Sequence, residues 1–199
     1  MDGAGRTDRQ RGEQPVIASL LHIPLVWTLL HSPLAWILGV VTVQRLGELV
    51  IAGFNTRRLL ARGAREVGRA HYRLFILLHA SWLIAIALTT PLDRRPSWPL
   101  VGVLVILQVL RAWVVQTLGP YWTTRIITLD GAPLVRGGPF KYMRHPNYWI
   151  VVAEIALLPL TFGDWAIAIV WSILNAILLR HRVRIESPAL SARAGTYDC

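Results

Sequence analysis

Apolar residues along this chain come in long runs separated by Arg-rich segments, the pattern of a polytopic membrane protein. Leu34 to Phe54 is the first run long enough to cross a bilayer with some tilt, and Tyr72 to Thr90 and Trp98 to Leu118 are the second and third. Tyr148 to Leu160 and Trp165 to Leu179 follow, joined by Thr161-Phe162-Gly163-Asp164. The first of that pair holds only 13 residues, so the two read as a helical hairpin that need not cross symmetrically. The pattern therefore predicts an all-α, polytopic integral membrane helical bundle of about five transmembrane segments. Ahead of them, Val16 to Leu30 is short for a span and is broken by His31-Ser32-Pro33. It reads as an extra interfacial or half-buried helix, and it lacks the small-residue cleavage site of a removable signal. Met1 to Gln14 is polar and Gly-rich, the composition of a disordered tail, which leaves residues 15–199 as one membrane domain.

The connections carry the charge. Asn55 to Arg73 holds Arg57, Arg58, Arg62, Arg65, Arg69 and Arg73 against Glu66 alone. Pro91 to Ser97 suits a tight turn between antiparallel neighbours. Gly119 to Asn147 is rich in Gly and Pro and too long for a plain turn, and loops of that length in a compact protein usually carry function. Arg180 to Cys199 is a basic, polar tail. With five segments, the 55–73 loop, the 119–147 loop and the C-terminus all fall on one side; they hold most of the arginines, which makes that side cytoplasmic, as in a bacterial cell membrane.

Composition agrees with the pattern. The apolar share is 54%, against about 45–50% in soluble domains, and mean hydropathy is +0.45. A net charge of +10 would suggest nucleic acid in a soluble protein, but here the arginines flank apolar runs, so a nucleic-acid partner is not expected. The single cysteine, Cys199, rules out disulfides within the chain and thiolate metal sites, and the histidines form no recognised ligand spacing, so no structural metal is expected.

Two clusters are candidates for chemistry. In the first, Gly137-Gly138-Pro139 shapes the backbone ahead of Tyr142, Arg144, His145, Asn147 and Tyr148, which gather donors and aromatic faces at the start of a helix. Free N–H groups at such an end attract carboxylate or phosphate, and a flat base would match the rings. An interfacial aromatic belt is the competing reading, although it does not explain Arg-His-Pro. In the second, Arg182 and Glu186 are four apart and share a helical face, as a solvated surface pair also would. Glu154 lies inside an apolar segment, where an ionisable group faces a cavity or a partner. Arg111 or Arg45 would be that partner. Arg45, Glu48 and Arg111 read as structural or cavity-lining, Asn175 as a hydrogen bond across helices, Trp113 and Trp122 as interface anchors, and His79 as a helix-packing histidine.

At these residues the chain resembles the isoprenylcysteine carboxyl methyltransferase family, particularly its small bacterial members. The resemblance runs from about Arg111 to Leu190 and is strongest over Gly138 to Tyr148. It continues through Glu154, Leu158-Pro159-Leu160, Gly163 and Asn175 to Arg182, Glu186 and Leu190, while the first hundred residues match only in topology. It implies S-adenosylmethionine as cofactor and methyl transfer to an oxygen of a lipophilic acceptor. That acceptor is a prenylcysteine-like carboxylate or the phenol or enol of an alkylated polyketide-type lipid. By carry-over, Tyr142, His145, Pro146 and Tyr148 line the cofactor pocket with Glu154 nearby, and Arg182 and Glu186 are the catalytic pair where the acceptor meets the methyl group. Ser187 stands where many members have a second acid, and with nine residues after Leu190 the cofactor lid is expected to be short. Two other readings remain at this point: an NADPH-dependent membrane sterol-type reductase, which shares Arg-His-Pro, and a non-enzymatic membrane subunit or transporter with Arg45, Glu48, Arg111 and Glu154 as a polar pathway.

Overall fold

The computed structural model describes residues 24–129, 131–132 and 135–194; the expected disordered tail and the first part of the Val16–Leu30 segment lie outside them. A short helix α1 (Pro24–His31) leads into α2 (Pro33–Ala61), whose N-cap Ser32 accepts from the Ala35 N–H and whose first position is a proline. Then come α3 (Arg69–Thr89), α4 (Trp98–Leu118), α5 (Pro146–Thr161) and α6 (Trp165–Ala194). Among the described residues, four segments are long and apolar enough to cross a membrane: Pro33–Ala61, Tyr72–Thr89, Trp98–Tyr121 and Trp165–Glu186. Between the last two lies the shorter α5, whose 16 residues span roughly 24 Å at the helical rise.

Packing runs through a core of Leu34, Trp82, Ile86, Ile155, Leu158 and Phe162, to which α2 to α6 all contribute with their partly buried neighbours. Large apolar residues such as Val43, Phe54, Leu88, Val109, Trp165 and Ile177 stay exposed on the outside. A soluble protein would not leave so much apolar surface open; hydrocarbon would. The chain is an all-α polytopic membrane bundle.

Polar contacts tie each end. At one, Thr90 donates to Asp164, the Ser97 N–H donates to the Thr161 carbonyl at 2.8 Å, and the Ser32 hydroxyl donates to the Leu92 carbonyl at 2.6 Å. At the other, Asn55 donates from Nδ2 to the carbonyls of Gly119 and Trp122 at 3.0 and 2.9 Å. There the three basic segments meet, as the topology required: two three-residue strands, β1 (Arg65–Val67) and β2 (Ile126–Thr128), pair antiparallel, and the C-terminal half of α6 lies against the 119–147 loop.

Three features extend the sequence reading. The supposed loop from Asn55 continues α2 to Ala61, because Thr56 and Leu59 bury while Arg57 and Arg58 stay exposed. The tail from Arg180 continues α6, because Arg182 finds partners on other elements. The small sheet arises in Arg-rich loop sequence with no strand-length alternation to announce it.

Candidate functional site

Four arginine and glutamate residues close a neutral network inside the bundle. Arg111 donates from Nε and Nη2 to the two carboxylate oxygens of Glu48, each at 2.5 Å, a bidentate pair. Arg45 donates to Glu154 and to Glu48, the latter at 3.5 Å. Glu154 is 2% exposed and also accepts from Arg111 Nη1 at 3.3 Å and from Gln108 Nε2 at 2.9 Å. Both of its oxygens are thus held by protein donors, the pairing with Arg45 and Arg111 that its position in an apolar segment required. Gln44 adds a bond to Glu48 at 3.2 Å.

Against this network lies a cavity of about 550 Å³ between α2 and α3, floored by α5 and α6. Its walls are largely apolar, with Leu38, Leu46, Ile76, Leu83, Val151 and Leu179 among them. Arg45 and Arg111 show one side to it, as does His79. His79 Nδ1 donates to the Phe75 carbonyl at 2.8 Å, leaving Nε2 without a hydrogen-bond partner among the described residues.

The mouth of the cavity, at the basic end, is where the two sequence clusters meet. Tyr148, in the first turn of α5, donates its hydroxyl proton to Glu186 and accepts from Arg182 Nε at 2.8 Å. Arg182 also donates from Nη1 to the Thr124 carbonyl at 2.9 Å, and its guanidinium stands over Phe75 at 5.4 Å and Tyr148 at 5.7 Å. Glu186 and Arg182 themselves approach to 3.8 Å. On its other side Tyr148 stacks on His145, ring centroids 5.0 Å apart and planes within 11°. His145 is the N-cap of α5, and buried Pro146 holds its first position, where the missing N–H costs nothing. Tyr148 therefore belongs to both clusters, ring toward His145 and hydroxyl toward Arg182 and Glu186.

The turn ahead of α5 is fixed by Gly138. Its φ is +55°, in the left-handed region that favours glycine, and a Cβ there would stand 2.6 Å from Thr117 Oγ1, so a larger residue would have to displace the Thr117 side chain for this short helical turn to seat on α4. Tyr142, at the end of that turn, is 76% exposed, and the structure does not bring it into the cluster as it does His145, Pro146 and Tyr148.

Sequence reasoning missed Trp122. Read as an interface anchor, it is 3% exposed, lines the cavity and sits under Arg111 at 6.0 Å. Its Nε1, like Asn147 Oδ1 at the mouth, is buried with no partner among the described residues. Such atoms cost about 1–3 kcal/mol unless something in the cavity pairs them. No sequence signal marks this, since a tryptophan just after a span serves equally as an interface anchor. Asn175, expected to bond across helices, is buried with Oδ1 likewise unpaired.

The model of the isoprenylcysteine carboxyl methyltransferase family matches residues 100–192, the stretch that carries α4, the mouth and most of α6. The uncharacterized protein YpbQ of Bacillus subtilis is 38% identical over 158 residues, covering 77% of this chain and 94% of that protein. The chain belongs to the isoprenylcysteine carboxyl methyltransferase family. Members are membrane methyltransferases that use S-adenosylmethionine as methyl donor. An uncharacterized protein of Haemophilus influenzae is 25% identical over 152 residues, 74% of this chain and 88% of that protein. No solved structure matches the chain. The meeting of α5 and α6 at the mouth is the candidate site.

Proposed function

We propose that the protein is an S-adenosylmethionine-dependent O-methyltransferase acting on a lipophilic acceptor. The observation that carries this reading is the convergence of His145 and Tyr148 with Arg182 and Glu186 at the mouth of an apolar cavity. The residues present fit the cofactor: stacked rings for a flat base, the positive end of the α5 dipole for a carboxylate, and a buried unpaired amide oxygen on Asn147. His145, Pro146 and Tyr148 would hold it, with Tyr142 and Glu154 carried over from the family rather than from the cluster. When bound, it supplies an already activated methyl group on a sulfonium.

The chain's own residues then have three tasks. The cavity takes the acceptor's apolar tail and keeps water from the reacting oxygen. Arg182 orients that oxygen, by charge-assisted hydrogen bonds if it is a carboxylate, which needs no base. If it is a phenol or enol, its proton must leave; Tyr148 stands between cavity and Glu186, so the proton can pass through the Tyr148 hydroxyl to the Glu186 carboxylate. The catalytic and cofactor-binding part spans about 111–190 of the single domain, and the basic end faces the cytoplasm, since Arg57, Arg58, Arg62, Arg65, Arg144 and Arg180 gather there.

A labelled-methyl assay tests the reading. Purified protein with methyl-tritiated S-adenosylmethionine and a bacterial lipid extract should put label into the organic phase, and Arg182→Ala should abolish it. Mild base separates the acceptors, releasing labelled methanol from an ester and none from an ether. Absence of any label from extracts across several bacteria would contradict the proposal.

A further inference from the structure

The cavity is polar at two levels. Beyond the mouth, which holds Arg182 over Phe75, the wall carries Thr42, Arg45, Arg111 and His79 among apolar residues such as Leu38, Leu83, Ile84 and Ala87. The α3 face that lines it runs from Tyr72 to Ala87, roughly 22 Å at the helical rise. His79 stands four residues past Phe75, about 6 Å deeper by the same rise. A polar group facing an apolar cavity is costly unless an occupant pairs with it.

The chemistry of the second level is specific. The Nδ1–H of His79 is bound to the Phe75 carbonyl, which fixes the tautomer and leaves Nε2 as a lone-pair acceptor beside the cavity. Arg45 brings a positive charge and Thr42 a hydroxyl to the same space. The Arg45 guanidinium can only donate, so an ammonium finds no acceptor in it, and a carboxylate or ketone has no proton to give His79. A hydroxyl satisfies all three, donating to His79 Nε2 while its oxygen accepts from Thr42 or the Arg45 guanidinium.

We propose that Thr42, Arg45 and His79 form a second polar subsite that reads a hydroxyl on the acceptor, about one helical turn in from the oxygen that is methylated. The acceptor is then an amphiphile with two separated oxygens before its plain alkyl tail. The orientation of that amphiphile rests on the methyltransferase reading; the subsite itself is a binding property that needs no cofactor.

Hexadecanoic acid and a series of monohydroxy-hexadecanoic acids, with the hydroxyl moved along the chain, provide the probe. Their affinities for detergent-purified wild type, His79→Leu and Thr42→Val would be measured by displacement of a fluorescent fatty acid. Wild type should bind the isomer with its hydroxyl on the order of five carbons from the carboxylate most tightly, about tenfold above the unsubstituted acid. His79→Leu should lose that preference and Thr42→Val should reduce it, each read as the ratio of hydroxy-acid to plain-acid affinity within the same variant. The isosteric Thr42→Val decides the matter if His79→Leu fails to fold. A flat series in wild type, no binding of the series at all, or a preference that survives in both variants overturns the subsite. S-adenosylmethionine binding by the same preparations separates the two ideas: its absence with the hydroxyl preference intact sinks the methyltransferase reading alone, and its presence with a flat series sinks the subsite alone.

Discussion

Glu154→Leu should cost the bundle about 3–5 kcal/mol of stability, because it removes one carboxylate from a closed network and leaves buried positive charge behind. Glu154 takes hydrogen bonds from Arg45, Arg111 and Gln108, and it is 2% exposed, so its removal leaves those donors short of a partner inside the bundle. Thermal unfolding in detergent, followed by tryptophan fluorescence, reads the effect. Arg45→Leu alone should also destabilise, since it leaves Glu154 with a weaker set of donors. The double variant Arg45→Leu/Glu154→Leu should recover much of the loss, because the bidentate Arg111–Glu48 pair remains neutral by itself. A double variant as unstable as the sum of the two singles would show that the pair does not act as a unit. Glu154→Gln separates structure from cofactor contact: a destabilised variant that still binds cofactor while folded assigns Glu154 to the network.

Tyr148→Phe should lower methyl transfer to a hydroxyl acceptor roughly a hundredfold while changing S-adenosylmethionine affinity by less than threefold, within the usual range for loss of a general base. The ring that stacks on His145 is retained, and only the hydroxyl between Arg182 and Glu186 is lost. A carboxylate acceptor should feel the change far less, since Arg182 alone orients it. Single-turnover rates and cofactor titrations on the same preparation check this. Parallel loss of affinity and rate would place Tyr148 wholly on the cofactor side and remove its hydroxyl from the chemistry.

The membrane architecture was legible in the sequence because long apolar runs have few alternatives: Leu34 to Phe54, Tyr72 to Thr90 and Trp98 to Leu118 each lie within or across a helix of the structure. Helix ends were less legible. Arg57, Arg58 and Arg180 look like loop residues by polarity, yet α2 and α6 carry them on exposed faces while Leu59 and Arg182 find partners inward. The Arg45–Glu48 neighbourhood could be read from a spacing of three, whereas Glu48–Arg111 joins residues 63 apart and depends on how α2 meets α4. The convergence of His145 and Tyr148 with Arg182 and Glu186 came from family resemblance, because no periodicity brings residues 34 to 38 apart together. Burial of Trp122 and the open Nε2 of His79 had no sequence signal, since both residue types serve equally as interface anchors and as packing groups.

The most direct test of the account is calorimetry of S-adenosylmethionine and S-adenosylhomocysteine with the detergent-purified protein, wild type against His145→Ala. Wild type should bind both at micromolar levels, and the variant should lose that binding while melting at the same temperature. A well-folded wild type that binds neither would contradict it.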